Sequence, residues 1–412
     1  MIPDLKPFAG AFLMSPIPLE LSFNWCSYAC AYCFANLNTP RRRSTITQLM
    51  NFLADYPQRA TLEATLLQQG YPVCISNLTD MFAPSNYHTA LPVVEILSEL
   101  GVPMQFQTRG SDRAAWVDDL LARLTRPAVW YISLTTLDDT IRAQIEPKAP
   151  TVANRLAFIQ RLRRDGHTVV VGLNPLVPEW CGDPTALIET CMAVGVQGCW
   201  IERLHLNYRQ VAAMPARDQA ALGDDLLARA RKRAPAAPDQ AGFDAVRAAA
   251  QAHGLPVYSL NQPNASTFFD LYHQGYAGRT FPTNQDWVNH CYQTQAQTRL
   301  LTFDEYARVM LARLPAGVHA LDQYIGSTAH TLCRQVQVPT RMTYREVLRL
   351  GWCYHEPKFS PVGLPCFAWA AQWDAATKGW QRYVDADGLP LLVFRPARPL
   401  LSTCVETHLV NE

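Results

Sequence analysis

The sequence predicts an α/β fold: a partial (β/α)6, TIM-like barrel followed by a C-terminal α+β extension. Three observations predict it. Short apolar runs alternate with amphipathic stretches from residue 17 to about residue 260, the rhythm of parallel β/α units. The turn after the first apolar run holds cysteines instead of Gly-x-Gly-x-x-Gly, which argues against a doubly wound sheet. After about residue 263 the rhythm gives way to two helical patterns and an aromatic-rich tail. The expected domains are a barrel over residues 1–262 and an α+β substrate or lid region over residues 263–412.

The elements follow in order. "IPLELSF" (17–23) is the first strand and runs straight into the cysteines; "YPVCISN" (71–77) is the second. "ALPVVEILSELG" (90–101) is a helix stopped by Gly101, "VPMQFQT" (102–108) the third strand, and "DRAAWVDDLLARL" (112–124) a helix opened by Asp. "AVWYISLTT" (128–136) is the fourth strand, and "TVANRLAFIQRLRRDG" (151–166) a helix with a Thr cap and a Gly stop. "HTVVVGLNPLVP" (167–178) is the fifth strand, "DPTALIETCMAVG" (183–195) a helix with Pro in its first turn, and "VQGCWIERLHL" (196–206) the sixth strand. A helical region covers 216–233; after the Pro-rich break "APAAPDQ" one more helix, "FDAVRAAAQAHG", and one more strand, "LPVYSL", form an extra unit. In the last third, "LTFDEYARVMLARL" (301–314) and "MTYREVLRLGW" (342–352) are helical. The tail (366–396) carries Trp369, Trp373, Trp380 and Tyr383, with a hairpin turn at Asp387-Gly388.

Composition narrows the function classes. Formal net charge is +1, so a generally basic, nucleic-acid-coating protein is not indicated; Arg41-Arg42-Arg43 is the densest local basic patch. No apolar run approaches the roughly 20 residues of a membrane span. The N-terminal segment lacks the basic-then-apolar order of a signal peptide. A cytoplasmic protein with no membrane partner is expected, and its 12 cysteines then read as thiols or metal ligands rather than as a disulfide framework.

The most informative stretch is "FNWCSYACAYCFANLN" (23–38), where Cys26, Cys30 and Cys33 stand in a Cys-x3-Cys-x2-Cys spacing. Zinc sites close with four ligands, commonly from Cys-x2-Cys pairs; a zinc knuckle completed by Cys74 or a histidine is one reading, and three buried core thiols another. Cysteine thiolates also hold four-iron clusters. Three of them leave one iron open to a small molecule.

These residues resemble the radical S-adenosylmethionine (radical SAM) superfamily: the spacing, the preceding strand, Phe34 after the third cysteine, and the six following β/α units. The resemblance implies a [4Fe-4S] cluster on Cys26, Cys30 and Cys33, S-adenosylmethionine on its open iron, and a 5′-deoxyadenosyl radical that takes a hydrogen atom from substrate. It also implies an electron donor such as flavodoxin or ferredoxin. Over residues 17–210 the chain further resembles the spore photoproduct lyase-like branch: Tyr28 to Phe34, "SNLTDMFAPSN" (76–86), and 131–178 with "Ser-x-Thr-Thr-x-Asp" and "Glu-Pro-x-Ala-Pro". That match implies cofactor contacts from Tyr32 and Phe34 at the adenine and from Ser76, Asn77, Thr79 and Asp80 near the methionine end. It implies Thr108 and Arg109 at the carboxylate, with Arg109 alternatively bridged to Asp112 or Asp119. Ser133 and Thr135 would meet the ribose, and Asn174 and Glu202, which with His205 close strands five and six, would be further cofactor contacts. All sit at strand C-termini, the face on which barrel enzymes build their sites.

Within that branch the substrate is a cross-linked thymine pair in DNA, and a cysteine near the second strand returns a hydrogen atom. Here Cys74 is the nearest thiol and Asn77 stands just before Leu78-Thr79-Asp80. The expected catalytic residues are Cys74, Arg109 and His205. The expected substrate is of nucleobase type, a modified thymine in DNA being the leading candidate. The C-terminal aromatics would then stack bases and Arg41–Arg43 meet phosphates. A small-molecule or peptide substrate is the alternative; Cys291, Cys333, Cys353 and Cys366 are scattered too widely for a second cluster. A zinc-stabilised binding module is the third reading.

Overall fold

Near-continuous apolar strands followed by one-sided helices demand a parallel sheet covered by helices. The computed structural model has that sheet. It describes residues 4–7, 19–22, 26–37, 46–76, 79–113, 116–204, 206–232, 236–258, 271–282, 284–320, 322–324, 341–353, 361–363 and 366–395. The chain divides into two units: Met1–Leu5, Glu20–Asp55 and Gly70–Tyr276 form the first, and Lys6–Leu19, Tyr56–Gln69 and Ala277–Glu412 the second. The boundary expected at 262/263 lies among residues outside the described ones.

Eight strands lie side by side in chain order: β1 (Asp4–Pro7), β2 (Leu19–Ser22), β3 (Val73–Ile75), β4 (Met104–Thr108), β5 (Val129–Ser133), β6 (Thr168–Leu176), β7 (Cys199–Arg203) and β8 (Val257–Tyr258). From β2 to β8 every pairing is parallel, which makes seven parallel strands, the six expected plus the extra one. This is the partial barrel that the sequence predicts.

Side chains alternate between the two faces of each strand. On one face Phe106 and Trp130, paired in register, stack at 4.2 Å, and Phe158 and Phe82 each pack on Trp130. The other face carries polar groups on its first strands. Glu20, Cys74 and Gln105 are in register across β2, β3 and β4, and all three are buried.

The helices of the first unit are built from local signals. They are α1 (Ile46–Asp55), α3 (Tyr87–Glu99), α4 (Trp116–Arg123), α5 (Asp139–Ile145), α6 (Val152–Arg164), α7 (Pro178–Cys181), α8 (Pro184–Ala193), α9 (Tyr208–Ala213), α10 (Ala216–Leu222), α11 (Asp224–Ala230) and α12 (Ala237–Ala252); α2 (Leu62–Gln68) belongs to the second unit. The Thr151 hydroxyl accepts the Asn154 N–H at 3.3 Å to start α6, and Gly166 ends that region at φ +85°. The helical region expected over 216–233 is there as two helices, parted at Gly223, whose φ of +78° lies outside the helical range. The Pro-rich break is also partly helical: α12 starts at Ala237 with Pro238 in its first turn, where a missing N–H costs no hydrogen bond. No helix among the described residues is long and apolar enough to cross a membrane.

The second unit is α+β. Helices Asn284–Gln293, Phe303–Leu311 and Tyr344–Cys353 accompany an antiparallel sheet of the strands Leu300–Leu301, Phe367–Trp369 and Leu392–Phe394. Its core is aromatic: Trp287, Tyr306 and Trp352 are buried, and the Trp352 Nε1–H donates to the Pro390 carbonyl at 2.7 Å. The strands Ala371–Asp374 and Gly379–Arg382 form a hairpin on which Trp373 and Trp380 face each other at 5.8 Å, 55% and 70% exposed. The Asp387-Gly388 turn is present, closed by the Val384–Pro390 bridge.

Candidate active site

The three cysteines occupy the loop that leaves the C-terminal end of β2. Ala29, at φ +54°, bends the chain between Cys26 and Cys30, and the Cys33 N–H donates to the Cys30 carbonyl at 3.1 Å. The loop is fastened on two sides. Ser27 and Ser85 exchange backbone-to-hydroxyl hydrogen bonds at 3.2 and 3.3 Å. On the other side the Ala31 N–H donates to the Ile145 carbonyl at 2.8 Å, and the Lys148 N–H to the Tyr28 carbonyl at 3.3 Å. Tyr28, Cys30, Ala31 and Tyr32 pack into a buried cluster with Ile145, Val177 and Trp180, and Cys26 and Cys33 lie against it, partly exposed.

Between these fastenings sits Glu146, fully buried. Its Oε1 accepts from the Tyr32 hydroxyl, from Arg109 Nε at 3.0 Å and from the Thr135 hydroxyl at 3.2 Å. Its Oε2 accepts from Arg155 Nη2. Arg155 is itself buried, and it also donates to the Pro150 and Ser133 carbonyls, each at 3.1 Å. Arg109 Nη2 donates to the Tyr32 hydroxyl at 3.0 Å. Burial would push the Glu146 carboxyl up, but Arg155, Arg109 and the Tyr32 hydroxyl together hold it down at about 2. One carboxylate thus ties the cysteine loop, the ends of β4 and β5, and α6 into one network.

The predicted site residues fall into several groups. Arg109 is engaged with Glu146 rather than with Asp112 or Asp119. Tyr32 is buried, its ring 5.7 Å from that of Trp180, whereas Phe34 is 45% exposed. The Asp80 carboxylate lies beside Cys26 and is filled from within the chain. It accepts from the Thr108 hydroxyl at 2.7 Å, from the Phe82 N–H at 2.8 Å and from the Arg109 N–H at 2.6 Å. Ser76, at φ +75°, turns its hydroxyl to accept the Met81 N–H at 2.9 Å. These bonds make Ser76, Asp80 and Thr108 builders of the loop after β3. Thr79 and Ser133 are buried nearby along the chain, and Thr135 reaches Glu146.

Cys74 lies apart from the three loop cysteines, within β3. Gln107 Nε2 donates to its sulfur at 3.5 Å, and burial pushes its thiol up. Asn174 is exposed at the C-terminal end of β6, and Glu202 is buried in β7. Asn77, His205, Cys333 and Arg41–Arg43 lie outside the described residues. Cys291 is within electrostatic reach of Cys366 in the second unit, while Cys353 is exposed.

Glu146 and Arg155 are the residues that sequence reasoning passed over as individuals. The signal was the segment "Glu-Pro-x-Ala-Pro": a carboxylate followed by two prolines ends α5 with Glu146 fixed at its C-cap.

The donor set fits an iron–sulfur cluster. It consists of sulfur alone, from three thiols on one short loop. Among the described residues no three His, Cys, Asp or Glu side chains converge on a single-ion site. A four-iron cluster does not ask for that, because each thiolate binds a different iron. Burial and the neighbouring Asp80 push the Cys26 thiol up to about 12, and burial pushes Cys30 up as well. Both therefore need cationic metal to serve as thiolates.

Comparison with known proteins agrees. Residues 21–184 match the family described as "Radical SAM superfamily". A protein of Pseudomonas phage M6 named "Radical SAM Nalpha-GlyT isomerase" is 27% identical over 212 residues, covering 50% of this chain and 42% of its own length. The chain thus spans less than half of that relative. Among solved structures, Streptococcus suis SuiB bound to S-adenosylmethionine aligns with a TM-score of 0.42 and 12% identity, covering 61% of this chain and 52% of its own. A spore photoproduct lyase aligns with a TM-score of 0.40 and 15% identity, covering 56% and 72%. The cofactors of the matched family are a [4Fe-4S] cluster and S-adenosylmethionine, and the stretch that matches it, residues 21–184, holds the three-thiol loop.

Proposed function

We propose that this chain is a radical SAM enzyme that abstracts a hydrogen atom from a nucleobase-type substrate, a modified thymine in DNA being the leading candidate, and so initiates a rearrangement or bond cleavage. The observation that carries the reading is the three-thiol loop at the C-terminal edge of the parallel sheet, docked on Glu146 beside Arg109. When bound, the cluster and S-adenosylmethionine supply one-electron chemistry that yields the 5′-deoxyadenosyl radical, given an electron donor. The chain's own residues position it. Cys26, Cys30 and Cys33 would hold the cluster. Arg109, fixed by Glu146 and Tyr32, keeps its Nη1 edge for an anionic group such as the carboxylate of S-adenosylmethionine. Phe34 is the exposed ring available for stacking. The buried polar face of the sheet supplies hydrogen-bonding groups for a substrate. The substrate class is supported by the resemblance of residues 131–178 to the spore photoproduct lyase-like enzymes. The phage relative, named an isomerase, supports rearrangement as the outcome.

The test is anaerobic reconstitution followed by 5′-deoxyadenosine measurement with DNA, nucleosides and peptides. The reading expects about four irons per chain, lost in Cys30→Ala, and deoxyadenosine release that rises with nucleic acid and weakens with salt. Release that rises only with peptides would move the enzyme to another substrate class, and a colourless protein that binds zinc would end the radical reading.

A further inference from the structure

Four aromatic side chains gather at the edge of the sheet opposite the cysteine loop. Tyr71 stands just before β3, at its N-terminal end, whereas the loop leaves the C-terminal end of the parallel strand β2. The Tyr71 hydroxyl pairs with His273 Nε2 at 2.5 Å. The rings around this pair are close. Tyr71 lies 5.2 Å from His273, 6.4 Å from Tyr272 and 5.0 Å from Tyr276, and Tyr272 lies 5.0 Å from His273. Tyr71 and Tyr272 are buried, while His273 and Tyr276 are partly exposed.

The three phenols differ in where their protons can go. The Tyr272 hydroxyl donates to the Pro72 carbonyl, which is too weak a base to carry the proton away. The Tyr276 hydroxyl is buried with no hydrogen-bond partner among the described residues. Tyr71 faces an imidazole nitrogen, which becomes a stable cation when it takes a proton. A phenol yields an electron far more readily when its proton leaves in the same step, because the alternative is a strongly acidic radical cation. Tyr71 is therefore the easiest of the three to oxidise. Cys74, whose S–H is a weak bond to hydrogen, stands three residues further along the chain, roughly 10 Å at about 3.3 Å per residue. Pro72, which holds the Tyr272 hydroxyl, lies between them.

We propose that Tyr71 and His273 form a proton-coupled redox pair that drains oxidising radicals from the interior of the first unit. A carbon radical that misses its substrate takes the hydrogen atom of Cys74, closing a C–H bond and leaving a thiyl radical. An electron from Tyr71 reduces that sulfur by way of Tyr272, and the sulfur takes up a proton from water. The Tyr71 proton passes to His273 Nε2, which leaves a neutral tyrosyl radical. A thiol in solution then returns the electron and releases its own proton to water, His273 returns the proton it held, and two such thiols end as a disulfide. The pair rests on the radical reading above and holds for either substrate class.

The experiment is uncoupled turnover. The reconstituted full chain is mixed with S-adenosylmethionine and photoreduced deazaflavin, with no substrate added, then frozen and read by electron paramagnetic resonance. Ring-deuterated tyrosine identifies the signal. The wild type should show a tyrosyl radical, and Tyr71→Phe should abolish it. His273→Gln keeps a hydrogen-bond acceptor but no base, and should lower the yield about tenfold or more. Both variants should release deoxyadenosine at the wild-type initial rate and inactivate after several-fold fewer cycles. His273→Gln, at a partly exposed position, carries the test if the buried Tyr71 variant fails to fold. A tyrosyl signal undiminished in either variant, or wild-type endurance in both, would overturn the pair. So would deoxyadenosine release with no tyrosyl signal in the wild type. No deoxyadenosine release at all would instead overturn the radical reading, and the role of the pair with it.

Discussion

Replacing Glu146 by Gln keeps the size of the side chain and removes its charge. Two guanidiniums then face a neutral partner: Arg155, with 1% of its side chain exposed, and Arg109, with 20%. Breaking a buried ion pair from one side costs about 3–5 kcal/mol, because the remaining charge stays desolvated. The carboxyl gives an independent figure. Holding it at about 2 against an ordinary 4.5 corresponds to roughly 3 kcal/mol. The exposed pair Arg123–Glu95, with side chains 33% and 42% exposed, makes the control, since Glu95→Gln should cost about 0–1 kcal/mol. Hydrogen exchange localises the effect. The Ala31 N–H to Ile145 carbonyl bond joins the cysteine loop to the segment that carries Glu146. If loop release is the opening event, Ala31 exchange should speed up by about 10²–10⁴-fold in Glu146→Gln. Acceleration below tenfold, or a cost no larger than that of Glu95→Gln, would refute the view that Glu146 fastens the loop.

Acid gives a second test. The folded-state Glu146 carboxyl lies below its ordinary value, so its contribution is complete above about pH 4.5 and is lost as pH falls towards about 2. The stability gap between wild type and Glu146→Gln should close over that window in acid unfolding curves; a constant gap would contradict the linkage. Gly172→Ala puts a methyl group within 2.0 Å of the Tyr131 ring, so the ring must move. It should destabilise the chain by about 1–3 kcal/mol in urea unfolding, and a neutral result would show that the ring has room. In the second unit, Trp352→Ala removes a fully buried indole and its bond to the Pro390 carbonyl, at a cost of about 3–5 kcal/mol by the same measurement. Thr302→Ala removes the hydroxyl that caps helix Phe303–Leu311 through the Glu305 N–H, a loss of about 1 kcal/mol.

Much of the first unit was legible because its signals are local. The strand and helix runs from β3 to β8 have their expected order. The caps at Thr151 and Asp183 and the glycine stop at Gly166 act through neighbours a few residues away. The misses also have local causes. The helical region around Gly223 is as expected, but where it divides in two depends on the backbone of that one glycine. A proline-rich stretch reads as a break, yet Pro238 sits where helices accept proline. The short helix α5 has too few turns to show a period.

The sequence by itself determined which thiols stand together. Three thiols in one eight-residue window are close whatever the chain does elsewhere, so their spacing marks a candidate ligand set before any fold is known. What only the tertiary structure decided is what surrounds them. Tyr32, Arg109, Thr135, Glu146 and Arg155 are spread over more than a hundred residues and meet at one buried carboxylate. The Tyr131 ring lies over Gly172 only because β5 and β6 pair side by side and glycine leaves space for it. Parallel strands need long crossovers, so the groups they align are remote in sequence, and no spacing along the chain announces them.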